Sequence, residues 1–128
     1  MRKRFVPCLM AAALLLAGCQ ATLTNLTPKE QFRNDNNLYT VEVALSSPQQ
    51  SMRWESIHPQ ILIGADFYEM HPTPLMTNRW EGLVPVAQGT NLVHYRYKFD
   101  YKYNAVGKQP QSDSAMSQEF TLRILDNK

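Results

Sequence analysis

Asn91-Leu92-Val93-His94-Tyr95-Arg96-Tyr97-Lys98-Phe99-Asp100-Tyr101-Lys102-Tyr103 is the stretch whose reading decides the fold. Val93, Tyr95, Tyr97, Phe99, Tyr101 and Tyr103 recur at every second position, and Leu92, His94, Arg96, Lys98, Asp100 and Lys102 fill the gaps between them. A helix would scatter these aromatics around its circumference, whereas a strand lines them up on one face. Thirteen extended residues reach about 43 Å at roughly 3.3 Å each, well beyond the five or six residues of an ordinary strand. Val93 to Phe99 are therefore expected in a core, and Tyr101 and Tyr103 have two readings. Either they complete the core, or they project past it with the polar loop 104–114 as a contact surface.

The same period-two signal spreads outward from this run. Tyr39, Val41, Val43 and Leu45 alternate with Thr40, Glu42 and Ala44, and Phe120, Leu122 and Ile124 alternate with Glu119, Thr121 and Arg123. Between these lie Gln60-Ile61-Leu62-Ile63, a turn at Gly64-Ala65-Asp66, and Phe67-Tyr68-Glu69-Met70, closed by His71-Pro72-Thr73-Pro74. Residues 51–54 read as a short strand or a bend, and residues 79–86 resume extended structure with Trp80 and Val84 as anchors. No sustained helical period follows residue 20. Six or seven short strands separated by turn signals read as an all-β sandwich.

The strand spacing, a tryptophan in an early-to-middle strand and the Tyr-x-Tyr-x-Phe run near the end resemble an immunoglobulin-like or fibronectin type III-like domain over residues 38–125. The resemblance implies an antiparallel sandwich of about seven strands, with the domain at 38–128. The cysteine pair of antibody-type domains is absent, so that kinship is not implied.

The start of the chain carries different information. Met1-Arg2-Lys3-Arg4 is basic, Phe5 to Ala17 is apolar apart from Pro7, and Leu16-Ala17-Gly18-Cys19 follows. A basic start, a short apolar run and small residues before a cut are the marks of a secretory signal peptide. About 13 apolar residues are too few for a permanent bilayer span, which needs roughly 20. Leu16-Ala17-Gly18-Cys19 resembles the lipobox of bacterial lipoproteins. The resemblance implies recognition of Leu16, Ala17 and Gly18 by a signal peptidase, cleavage after residue 18, and diacylglycerol with an N-acyl chain on Cys19. Gln20, rather than aspartate, resembles the outer-membrane class in Gram-negative cells, facing the periplasm or the cell surface.

Three of the thirteen basic residues lie in that leader, so ten remain against eleven acidic ones and the mature charge is −1. This gives a nucleic-acid partner no support. With Cys8 in the leader and Cys19 expected to carry lipid, no cysteine is left for a disulfide. Residues 19–37, rich in Thr, Asn and charge, read as a polar tether between lipid and domain.

Candidate chemistry is sparse. His58, His71 and His94 show no metal-ligand spacing on a shared element, and Asp66 with Glu69 reads as a solvated turn rather than a carboxylate pair. Nucleophile-elbow, phosphate-loop and dinucleotide patterns are missing. The chain is expected to be non-catalytic, with no cofactor beyond its covalent lipid. The expected role is an interaction or scaffold module, an accessory subunit of an envelope complex, with Tyr101, Tyr103, Arg96, Lys98 and Lys102 as candidate partner contacts. The alternative is a glycan- or peptidoglycan-binding lipoprotein using Trp54 and Trp80 as stacking platforms.

Overall fold

A computed structural model of the chain describes residues 21–47, 51–104, 107 and 109–126. They form ten strands: β1 (Thr22–Asn25), β2 (Glu30–Phe32), β3 (Leu38–Ser46), β4 (Met52–Ile63), β5 (Asp66–Glu69), β6 (His71–Pro72), β7 (Arg79–Pro85), β8 (Leu92–Tyr103), β9 (Gln111–Met116) and β10 (Phe120–Leu125). One sheet has the order β1-β3-β7-β6, and the other has β2-β10-β8-β4-β5 with β9 also on β8. In immunoglobulin lettering the first is A-B-E-D, and β10-β8-β4-β5 is G-F-C-C′. The domain is an immunoglobulin-like β-sandwich. It departs from the expected all-antiparallel arrangement at one pair, because β2 runs parallel to β10.

The alternating run behaves as its period requires. Val93, Tyr95, Tyr97, Phe99 and Tyr101 are all buried in one cluster with Tyr39, Val41, Val43, Leu45, Ile61, Trp80, Leu122 and Ile124. Phe120 is half-buried and packs on Tyr95 and Tyr97, its ring 5.9 Å from each. Trp80 meets Phe99 edge-to-face at 5.2 Å between the sheets, a favoured geometry for aromatic pairs.

The expected tether is not one. Within residues 19–37, Thr22–Asn25 pairs with Val43–Ser46 and Glu30–Phe32 pairs with β10, so both stretches are strands of the sandwich. The reason lies in the core. Tyr95 and Tyr97 are buried and carry their hydroxyls inward, and a buried polar atom must find a partner. Tyr97 Oη donates to Asn25 Oδ1 at 2.6 Å, and Asn25 Nδ2 donates to Tyr95 Oη at 2.9 Å. Thr27 Oγ1 lies 3.1 Å from Tyr97 Oη and accepts from the Glu42 amide at 2.8 Å. Asn25-Leu26-Thr27, which matches a glycosylation sequon, is thus a polar clasp whose asparagine amide is occupied by tyrosine.

Two irregularities shape β8's neighbours. β9 pairs with Lys98–Tyr103 and β10 with Leu92–Tyr95, so the last strand is broken between them. Ser117 fills the break: the Tyr97 amide donates to its Oγ, and its own amide donates to the Tyr97 carbonyl, both at 2.9 Å. β4 shifts register against β8 between Arg53 and His58. There Ser56 Oγ accepts from the Lys102 amide at 2.8 Å and donates to the Arg53 carbonyl at 2.6 Å. Such bulges bend a strand and re-aim its side chains. Where the chain passes from β5 to β6, the backbone of Glu69 crosses close to Gly82. A Cβ at residue 82 would sit 3.0 Å from the Glu69 carbonyl oxygen and 2.9 Å from Ile61 Cδ1.

Burial holds the Tyr97 phenol well above the usual tyrosine range. A folded-state value above the unfolded one, near 10, means that this contribution to stability is complete below about pH 10 and is lost as pH rises beyond it. Denaturant midpoints are expected to fall above that pH, and Tyr97→Phe should flatten part of the fall. Asn25→Ala strips partners from both hydroxyls and should cost about 1–3 kcal/mol in urea denaturation; a detached tether would give no change.

Candidate functional site

Directly opposed residues on neighbouring strands share a sheet face, and the register therefore lays out the outer face of the larger sheet row by row. Phe67, Leu62 and Arg96 form one row; Glu69, Gln60, Lys98 and Met116 form the next; His58, Asp100 and Ser114 form a third. Phe67 is 54% and Met116 55% exposed, with Arg96 exposed between them and Leu62 half-buried. Two apolar groups thus flank a guanidinium on an otherwise polar, flat surface. β4, β5, β8 and β9 position it, and the alternate residues of β4 and β8, among them Ile61, Tyr97 and Phe99, lie in the core.

Above these rows, toward the end of β8, the outer face opens into a shallow cleft of about 440 Å³ lined by Ser56, His58, Asp100, Lys102, Ser112 and Ser114. Ser114, Asp100 and His58 in it are already paired. Ser114 Oγ donates to Asp100 Oδ1 at 2.6 Å, and Lys98 Nζ lies 3.8 Å from Asp100 Oδ2. His58 Nε2 and Glu69 Oε1 are 2.7 Å apart. Hydrogen bonds from Gln60 and from His58 hold the Glu69 carboxyl below the usual carboxylate range. Asp66 and Glu69 fall on opposite faces of β5, since Asp66 opposes Ile63 and Glu69 opposes Gln60. His71 pairs with Glu81 at 3.4 Å, and His94 Nδ1 lies 3.0 Å from Thr121 Oγ1. Among the described residues no three His, Cys, Asp or Glu side chains gather as metal ligands.

The candidate partner contacts separate into three groups. Arg96 and Lys98 join the exposed face just described. Lys102 is exposed and Tyr103 half-buried, both at the far end of β8. Tyr101 corrects the projecting reading: it is 6% exposed and belongs to the core, with its hydroxyl 3.5 Å from Asp113 Oδ2. Burial raises its phenol above the ordinary range. The long strand does not outrun the sandwich, because β4 and β9 extend beside it to Met52↔Tyr103 and Tyr103↔Gln111.

The two candidate stacking tryptophans also part company. Trp80 is buried, whereas Trp54 is 43% exposed and lies on Trp80, with ring centroids 6.2 Å apart and planes 7° from parallel. The bulge in β4 places it there. One face of Trp54 is spent on Trp80, leaving an exposed indole at the side of the sandwich. The signal for the apolar surface was present in the sequence as Phe67 and Met116, but their exposure depends on the register, which alternation alone does not give.

Leu16, Ala17, Gly18 and Cys19 lie outside the described residues. Among the described residues no helix is long and apolar enough to cross a membrane. No family model matches the chain, and no curated protein is similar to it in sequence. Among solved structures, murine CRIg is similar at 8% identity and a TM-score of 0.45, over 85% of this chain and 99% of that one. A DUF4785 family protein from Legionella pneumophila is similar at 12% identity and a TM-score of 0.44, over 82% of this chain and 28% of that one. The strand order, rather than either likeness, carries the fold assignment.

Tyr101→Ala should destabilise by about 3–5 kcal/mol, the range for deleting a buried aromatic. Trp54→Ala should cost clearly less, as a side chain packed on one face. Paired urea titrations check the order; a Tyr101→Ala protein as stable as the wild type would return that residue to the surface.

Proposed function

We propose that the chain is a bacterial envelope lipoprotein, cut before Cys19 and anchored by lipid on that cysteine, whose immunoglobulin-like domain is a non-catalytic interaction module. Its role is that of an accessory or scaffold subunit of an envelope complex. The anchoring part is supported by the basic start, the apolar run and Leu16-Ala17-Gly18-Cys19. Gln20 supports the outer membrane, facing the periplasm or the cell surface.

The observation that carries the interaction part is the outer face of the larger sheet, where Phe67, Leu62, Arg96, Lys98 and Met116 lie side by side. Apolar groups around an arginine, on a flat surface built from rigid strands, suit a protein partner: Arg, Met and aromatics are enriched in the centres of such contacts. The two basic groups favour a partner that is acidic at that spot. Lys98 is already engaged by Asp100, so Arg96 is the stronger contributor.

A second reading is favoured by the exposed ring of Trp54, which could carry a sugar ring of a glycan or of peptidoglycan. Trp80 does not share that role, because it is buried beneath Trp54.

Cys19→Ser should abolish detergent partitioning and leave an uncut or soluble product. Phe67→Asp and Arg96→Glu should change the unfolding free energy by no more than about 0.5 kcal/mol, as surface changes do, while crosslinked partner recovery from envelopes falls. Full recovery with both changes sinks the sheet-face contact. Loss of peptidoglycan binding on Trp54→Ala alone would favour the glycan reading.

A further inference from the structure

Leu75 stands out from the rest of the surface. It is fully exposed and has a positive φ of 65°. Pro74 precedes it, and the Met76 amide donates to the Thr73 carbonyl at 3.1 Å. This is the hydrogen-bond and φ pattern of a type II turn, in which the third position favours glycine or asparagine. A leucine there has neither the backbone ease of glycine nor any burial in return. Met76 beside it is also exposed. The turn is held firmly, since the Thr73 amide donates to the Arg79 carbonyl at 2.9 Å. Leu75 is therefore presented rather than loose.

Its position in the fold gives it an occupant. The end of β3 is flanked on one side by Thr22, which opposes Ser46. On the other side lies Asn78, whose carbonyl accepts from the Leu45 amide at 3.0 Å. The start of β1 and the turn 73–78 thus lie at the same pole, two strand spacings or about 10 Å apart. Residues 1–20 join the domain at Ala21, which packs against the core. Only Gln20 and Ala21 separate Cys19 from β1; three residues span at most about 10 Å. A lipid on Cys19 would hold this pole against the bilayer.

We infer that the Leu75–Met76 tip is a membrane-contact element that enters the lipid interface beside the Cys19 anchor and fixes the orientation of the domain. The partner is the lipid surface itself, met where headgroups give way to acyl chains. The inference rests on the lipid-anchored reading given above. Lys102 is exposed at the end of β8 at the same pole and adds a positive charge suited to anionic headgroups.

The test uses the mature lipoprotein, in which an introduced cysteine is the one free thiol. Leu75→Cys, Met76→Cys and, at the opposite pole, Gln88→Cys are labelled with an environment-sensitive fluorophore. Each is reconstituted in phosphatidylethanolamine–phosphatidylglycerol vesicles containing nitroxide-labelled lipid. Labels at 75 and 76 should be quenched by the lipid several-fold more than the label at 88, and shielded from aqueous iodide. Either tip variant suffices if the other fails to fold. Protein that floats with the vesicles yet shows equal quenching at both poles overturns this proposal and leaves the anchor standing. Protein without acyl mass that does not float overturns the anchored reading and this one with it. A tip shielded in isolated envelopes but not in lipid vesicles belongs to a protein contact, which also overturns it.

Discussion

Two tyrosine hydroxyls carried by the buried face of β8 constrain the rest of the domain. A strand that buries Val93, Tyr95, Tyr97, Phe99 and Tyr101 on one face gains a large apolar contribution. It also drags phenol oxygens into a region where an unpaired one is costly. Those oxygens cannot be satisfied from β8 itself, whose backbone groups are committed to the ladders with β4, β9 and β10. They are satisfied by Asn25 and Thr27, from a segment some 70 residues away in sequence. Because Thr27 also bonds the backbone of Glu42, the clasp fixes β1 against β3 and the following chain in its crossing toward β10. One polar requirement of the larger sheet thereby sets where the N-terminal strand of the smaller sheet must lie.

The same requirement explains what was legible in the sequence and what was not. Alternation in residues 91–103 gives the strand, its buried face and, with its neighbours, the sandwich, since each is a local property of a period of two. Alternation says nothing about which polar residues are drafted to serve a core. Asn25 and Thr27 look like tether residues because they are polar, yet in the fold Thr27 is buried, Asn25 is half-buried, and both bond tyrosine hydroxyls. Tyr101 was ambiguous for a related reason. Length suggests that a 12-residue strand projects from a compact sandwich, but only the register shows that β4 is equally long and that β9 covers the remaining edge. The bulges at Ser56 and Ser117 let both neighbours follow β8 to its end, and neither serine announces itself as a bulge residue in advance. Gly82 is similar: its need for no side chain arises from the Glu69 backbone that crosses it.

The candidate surfaces were partly legible. Arg96 and Lys98 were visible as the polar face of β8, and the fold adds what they lacked, apolar neighbours on β5 and β9. Trp54 and Trp80 were visible as a pair but not as a stack, one ring covering the other. Stacking leaves a single indole for any ligand and makes Trp54 part lid, part platform.

The two surfaces of interest sit at different heights, and this bears on how such a domain would work. The strands run from the pole of Thr22, Ser46 and Asn78 to the pole of Asn37, Gly64 and Gln88. With the first pole held at a bilayer by the proposed anchor, β8 would stand along the membrane normal. Arg96 lies seven residues from Tyr103, so the row of Phe67, Leu62 and Arg96 would stand about 23 Å above the end of that strand. The outer face would then look sideways, parallel to the membrane, rather than outward from it. A partner meeting that face would approach along the surface, and one anchored in the same membrane would do so within a confined layer where its effective concentration is high. In that geometry a modest apolar patch around one arginine can hold a complex that would be weak in free solution. With that anchor, the short reach from Cys19 to β1 would preserve the alignment, whereas a long flexible tether would let the domain tumble and the face would lose its fixed height.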